Sequence, residues 1–311
     1  MNDLILHHYP ASPYAEKTRL MLGFKGLSWR SVNVPPMMPK PDLTPLTGGY
    51  RKTPVLQVGA DIYCDTSLIA RRIDAEKALP ALFPAELDAV VSAFGAWAGQ
   101  VMFPRAVALV FQPASAAVRF ARFNDEQRQA FLADRAKLFS GGNAQRQSLE
   151  QVRHEWPTLM ARIEHQLAHA DGDFLFGAAT YADFALAHVM WFLKGTPVTA
   201  PHVDDYPHVA AWLGRVLGFG HGAPSELSAG EAIEIANAAT PAALPTDALD
   251  DPNGFTLGAT VQVAATDYGV EPVVGELVFS GVSEVIIKRE DARAGTVHVH
   301  FPRLGFALAK A

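Results

Sequence analysis

Apolar positions along the chain follow three successive rhythms. Up to about residue 74 the pattern is mixed. Leu4, Ile5 and Leu6 with His7 and His8 suit a short buried strand, which Pro10 ends. Ser12 is a good N-cap, and Pro13 suits the first helical position because its fixed φ is helical and its missing N–H has no partner to lose. A helix is predicted over residues 13 to about 25. It has Ala15, Thr18 and Leu22 on one face, Glu16, Lys17 and Arg19 largely elsewhere, and Gly26 just past its end. After an extended piece and the proline-rich "VPPMMPKPDLTPL", Val55, Leu56 and Val58, then Ile62 and Tyr63, flank Gly59-Ala60-Asp61 as a hairpin would. Asp65 and Thr66 can cap a helix in which Leu68, Ile69 and Ile73 recur at helical spacing. The predicted order is βαβ followed by ββα.

From residue 86 to about 237 the spacing is almost wholly helical, as in "ELDAVVSAFGAWAGQVMF", "RQSLEQVRHEWPTLMARIEHQLAHA" and "YADFALAHVMWFL". Thr180 with Asp183, and Ser228 with Glu231, read as capping boxes and so as structural features. The most apolar window, residues 93–111, has the length of a membrane span but carries Gln100, Pro104 and Arg105 near its centre, so it reads as a buried helix. "AATPAALPTDALDDPNG" then has no periodic apolar face and reads as a linker or draped loop. Beyond it "ATVQVAA", "VVGELVFS", "SEVIIKRE" and "TVHVHFP" are short β-branched runs between turn residues, and predict a small all-β, barrel-like module. About 60 residues form a marginal core, so this module is expected to dock on the helical domain with the linker lying along it.

Composition narrows the classes. With a net charge of −6 there is no basic footprint for nucleic acid, and no basic segment followed by a long apolar run opens the chain as a signal peptide would. A cytoplasmic protein without membrane partners is expected. Cys64 is the single cysteine, which leaves no intrachain disulfide and no cysteine metal cluster, and no metal is expected. His298 and His300 share a strand face without an evident third ligand and read as surface residues. The strand, loop and helix N-terminus at Ser12 together favour a bound negative charge.

The motifs in order resemble the glutathione transferase superfamily. "SPYAEKTRL", residues 12–20, resembles the active-site segment of omega-like members and of bacterial transferases that place Ser there. "KTPVLQ", residues 52–57, resembles the cis-proline segment; "CDTS", residues 64–67, the acidic-hydroxyl pair; and "TYADF", residues 180–184, the capping motif of the helical domain. The resemblance covers residues 4–217 or so. It implies an α/β thioredoxin-like N-terminal domain (1–75) and an all-α domain (86–238). The all-β C-terminal module (255–311) lies outside the usual family architecture.

What the resemblance implies about chemistry is concrete. Ser12 would donate its hydroxyl to the sulfur of glutathione, the co-substrate, and lower the thiol pKa; each unit is worth about 1.4 kcal/mol. Asp65 would pair with the γ-glutamyl ammonium, and Thr66 with the helix behind it would bind the γ-glutamyl carboxylate. Thr53 would offer its backbone to the cysteinyl unit if Pro54 is cis. Lys52, or else Lys40 or Arg51, would take the glycyl carboxylate. Trp97, Met102 and Phe103 could line a pocket for an apolar electrophile, though such residues at helical spacing also suit a core. With Ser12 and Ala15 where dithiol enzymes carry cysteines, disulfide exchange by the protein itself is disfavoured. The expected activity is attack of the glutathione thiolate on an electrophilic carbon, by a homodimer. The alternatives are a glutathione-dependent isomerase or lyase, and a non-catalytic scaffold that binds a protein partner.

Overall fold

The computed structural model describes residues 3–311. Its first part runs β1 (Leu4–His8), α1 (Pro13–Phe24), β2 (Ser28–Asn33), a single turn α2 (Thr44–Thr47), the hairpin β3 (Val55–Val58) and β4 (Asp61–Cys64), then α3 (Thr66–Glu76). Helix α1 ends as expected, with Gly26 left-handed at φ 61° beyond Lys25. Its charged residues, however, do not form a solvent face. Glu16, Lys17 and Arg19 are all buried, because α1 is packed by sheet, α3 and the helical domain together.

The helical part comprises α4 (Asp88–Trp97), a π-turn over Ala98–Met102, α5 (Phe103–Val110), α6 (Pro113–Arg119), α7 (Asp125–Leu138), α8 (Leu149–His169), α9 (Tyr181–Lys194), α10 (Pro201–Asp204) and α11 (Pro207–Leu217). Pro104 cannot donate to the preceding turn, and the π-turn accommodates it without ending the helix. The run from α4 to α5 is long and apolar enough to cross a membrane by length and composition. Here Val91, Ala98, Met102, Ala106 and Leu109 place one side of it in the helical core, as the sequence pattern predicts. Helix α9 is buried on nearly every side. At its start Asp183 accepts from the backbone N–H of Thr180 (2.9 Å) and Leu175 (3.0 Å) and from the Trp212 indole (2.9 Å).

The chain then returns to the first domain, short of the expected boundary at 238. Strand β5 (Ala223–Glu226) pairs with β2, and α12 (Ala229–Ala238) packs Ala232 against Ile5 and Val32, and Ile233 against the next layer. The last part is β6 (Thr260–Ala265), β7 (Val273–Ser280), β8 (Glu284–Asp291), β9 (Gly295–Pro302) and β10 (Phe306–Lys310).

These strands make the expected all-β module and pair antiparallel, but they do not close into a barrel. They extend the first domain's sheet into one of ten strands, in the order β10-β6-β7-β8-β9-β4-β3-β1-β2-β5. The joint is parallel, with Ile62 opposite Val299 and Tyr63 opposite His300. Alternation explains why the joint forms. Val297, Val299 and Phe301 are fully buried in one core with Val55, Ile62 and Cys64, and burying a side chain such as Phe301 is worth about 1.5–3 kcal/mol. A free β4 edge would leave both its hydrogen-bonding groups and this apolar face open. The module's strands therefore dock on the sheet edge, where the expectation placed them on the helical domain, and it is the β6–β7 loop that bonds to the helical domain, at Leu138, Asn143 and Ala144.

The linker follows the same surface. Ala242 donates to Asp61, Leu249 donates to the Ser280 carbonyl, and Asp251 is held by Ser280 and Arg303. His300 also departs from expectation. It is buried, stacked on Tyr63 at 4.3 Å, and bonded to Asp61 (3.1 Å) and Glu284 (2.9 Å), because its face of β9 meets β4 and not water.

Candidate functional site

The register of the sheet gathers three sequence segments. His7 pairs with Val55, and Val55 with Cys64, so the loop after β1, the residues before β3 and the residues after β4 emerge at one end. The N-terminus of α1 points into the same place. Ser12 is the N-cap of α1 and is buried; its Oγ accepts from the Ala15 N–H at 3.2 Å, and its own N–H donates to the Tyr9 carbonyl at 3.1 Å. The Thr53–Pro54 peptide is cis.

Asp65 caps α3 through Ser67, accepting from its N–H at 2.8 Å and from its hydroxyl at 2.6 Å, and Thr66 behind it is buried. Asp65 has φ +73°, alone among the described non-glycine residues in being positive. Such a conformation costs on the order of 1 kcal/mol or more and is concentrated at functional turns.

A buried polar network holds the loop before Ser12. Arg19 donates to the Pro10 carbonyl (2.9 Å), to Glu16 (2.5 Å) and to His8 Nδ1 (2.9 Å), and His8 Nε2 meets Ser31 Oγ at 3.0 Å. Burial first, and the Arg19 charge next, push His8 down to about 4. A neutral His8 can accept from Arg19 and donate to Ser31, which fits both contacts.

Two further groups at the domain boundary escaped the sequence reading. Lys17 is buried, its ammonium donates to the Tyr181 hydroxyl at 3.3 Å, and it lies 5.4 Å from the centre of the Tyr14 ring. Burial brings its pKa down to about 8, against the pull of Asp65. His188 is also wholly buried, with ring nitrogens that find no partner of normal geometry, and burial keeps it neutral well below its ordinary range. It stacks on Phe103 (5.5 Å) and lies 4.8 Å from Tyr14. Lys17 and Tyr14 sit within "SPYAEKTRL", where helical spacing alone did not separate them from surface positions.

The three expected wall residues all belong to the helical core, with Phe103 and Met102 buried in it and Trp97 packed against it. Phe103 meets Tyr14 with ring centres 4.7 Å apart, Met102 is fully buried in the helical core, and half-buried Trp97 packs on Phe94. Cys64 is wholly buried and its thiol is pushed well up, first by burial and then by Asp65, so it is an inert packing residue. Among the described residues no group of three or more His, Cys, Asp or Glu is placed to hold a metal.

The candidate cations are all engaged within the chain. Lys40 donates to the Arg51 carbonyl (2.9 Å) and to the Thr53 hydroxyl. Arg51 pairs with Asp134 and Glu271, each at 2.7 Å. Lys52 pairs with Asp267 at 2.5 Å and lies 4.2 Å from the centre of the Tyr268 ring. Asp267, Tyr268 and Glu271 belong to the β6–β7 loop, which therefore reaches the site. Tyr14 also feels Tyr268: burial first and then this phenol raise the Tyr14 pKa well above normal. Nothing local in the sequence marks this loop as more than a polar turn.

The two domains match known family models. Residues 6–81 match the glutathione S-transferase N-terminal domain, and residues 124–218 the glutathione S-transferase C-terminal domain. A GST-like protein from Pseudomonas syringae is similar over 100% of both chains, at 56% identity and a TM-score of 0.85. The glutathione S-transferase of Methylobacillus flagellatus with GSH bound is similar over 72% of this chain and 100% of its own, at 19% identity and a TM-score of 0.51. The apo form of glutathione S-transferase III matches 69% of this chain and 91% of its own, at 23% identity and a TM-score of 0.51. No functionally curated protein is significantly similar. A thioredoxin-like domain with a capped α1 facing a cis-proline turn, a helical partner domain and a full-length relative together establish that this chain belongs to the glutathione S-transferase family, with a sheet extension at its C-terminus.

Proposed function

We propose that this protein is a Ser-type glutathione transferase that joins the thiol of a γ-glutamyl peptide to an apolar electrophile. The observation that carries the reading is Ser12, a buried N-cap whose hydroxyl stands at the head of α1, at the sheet end that also brings together Thr53 and Asp65. Glutathione supplies the nucleophilic sulfur when bound. Ser12 Oγ accepts from the Ala15 N–H, which leaves its proton free to donate toward that sulfur, and the α1 dipole favours the thiolate by a few tenths to about 1 kcal/mol.

The residues fit the γ-glutamyl and cysteinyl parts. Asp65 offers a carboxylate to the ammonium, Thr66 at the head of α3 suits the carboxylate beside it, and Thr53 offers its backbone to the cysteinyl unit. Half-buried Tyr14, backed by buried Phe103 and neutral His188, offers an apolar face to the second substrate. Calorimetry with glutathione, followed by turnover over a panel of electrophiles, tests the reading. Consumption of glutathione with conjugate formation supports transfer; conversion without net consumption points to an isomerase. Light scattering at micromolar concentration checks the homodimer that accompanies the reading.

The engagement of Lys40, Arg51 and Lys52 within the chain favours one second reading, a non-catalytic scaffold. Measurable glutathione affinity with no turnover on any electrophile would select it.

A further inference from the structure

We propose that Asp267 is a specificity-determining residue: by holding Lys52, it makes the site prefer a γ-glutamyl-cysteinyl thiol whose C-terminal end is uncharged over one ending in a free carboxylate. This rests on the glutathione reading above, and deepens it at the glycyl end.

The Lys52–Asp267 pair is built rather than incidental. The loop that carries Asp267 is tied to the helical domain by three backbone bonds, Asn143 N–H to Thr266 O (2.9 Å), Ala144 N–H to Asp267 O (3.0 Å) and Gly269 N–H to Leu138 O (2.7 Å). Two glycines permit that approach. Gly269 is left-handed at φ +60°, and a Cβ there would press on Leu138 at 3.1 Å and Lys52 at 3.4 Å; a Cβ at Gly142 would lie 1.7 Å from the Asp267 carbonyl oxygen. The Lys52 ammonium thus sits between the Asp267 carboxylate and the Tyr268 ring, both on a loop fixed from the far side.

The consequence for a ligand follows from charge. A glycyl carboxylate arriving at Lys52 meets a cation already neutralised and an anion beside it. Neither neighbour offers relief, since Lys40 is buried on backbone and hydroxyl oxygens and Arg51 is shared between Asp134 and Glu271. An amide or an ester at that end avoids the repulsion.

Glutathione and its glycyl monoethyl ester are titrated calorimetrically into the full-length protein and into Asp267→Asn. The wild-type protein is expected to bind the ester about tenfold more tightly, the scale of one charge-assisted contact. Asp267→Asn is expected to bind free glutathione about tenfold more tightly than wild type and to lose the preference. Equal wild-type affinities for the two thiols overturn the proposal while leaving the glutathione reading intact. So does a preference that survives in Asp267→Asn. Failure of both proteins to bind either thiol overturns both readings.

Discussion

His300 of β9 bonds Asp61 of β4 at 3.1 Å, across the seam where the C-terminal strands join the thioredoxin-like sheet. On its other nitrogen it meets Glu284 of β8 at 2.9 Å. A ring bonded to two carboxylates is favoured as the imidazolium. Burial alone would lower its pKa, but the bonds to Asp61 and Glu284 outweigh burial and leave the pKa above 6.5.

Stability should therefore depend on pH with a definite sign. A histidine whose folded pKa is raised contributes fully below about 6.5, its unfolded value, and the contribution is lost as pH rises through the folded value. Melting temperature is expected to fall as pH rises above about 6.5, and His300→Gln should lower it at about pH 6.5 while flattening that fall. His7 and His8, both pushed down to about 4 mainly by burial, act oppositely below pH 6.5, so the comparison belongs above it. Parallel wild-type and His300→Gln profiles in calorimetric scans would remove the seam pair from the account.

Ending the chain near Asp247 uncovers the β4 edge and the faces of Ile62 and Cys64 that Val299 and Phe301 cover. Most of the truncated protein is expected in the insoluble fraction. In the full chain, Phe301→Ala should cost about 3–5 kcal/mol. A soluble truncated protein with an unchanged melting temperature would mean that the extension contributes nothing to the first domain.

Ser12→Ala removes both a helix cap and the proposed thiolate donor. The cap accounts for about 1 kcal/mol of stability. The distinguishing readout is the thiol pKa of bound glutathione, followed by thiolate absorbance, which should rise by about one unit or more as kcat falls about tenfold or more. A thiol pKa equal to wild type would leave Ser12 as a cap only.

Asp183→Ala leaves the Thr180 and Leu175 N–H groups and the Trp212 indole without their acceptor in a fully buried place. Unsatisfied buried donors cost about 1–3 kcal/mol each and do not add fully, so a loss of about 3 kcal/mol is expected in urea unfolding. Asp183→Asn keeps one acceptor oxygen and should lose less. A loss under about 1 kcal/mol for the alanine variant would show that water replaces the carboxylate.

Whatever depends on neighbours a few residues apart was legible along the chain. Helical and strand periodicities placed the elements; Ser12, Asp65 and Ser228 marked helix starts, and motif order revealed the family. Each of these signals is local, because caps and amphipathic spacing act within one or two turns. Tertiary structure alone decided the rest. Whether four β-branched runs close on themselves or extend another sheet depends on which free edge they meet, and Ile62 opposite Val299 is a pairing that strand alternation cannot encode. Lys17 and Arg19 read as polar positions at helical spacing, yet three layers meet on α1 and bury them. Lys52 looked free for a ligand because its partner Asp267 lies 215 residues away on a polar turn, and an ion pair between such distant residues exists only once the sheet seam and the loop anchors have brought them together.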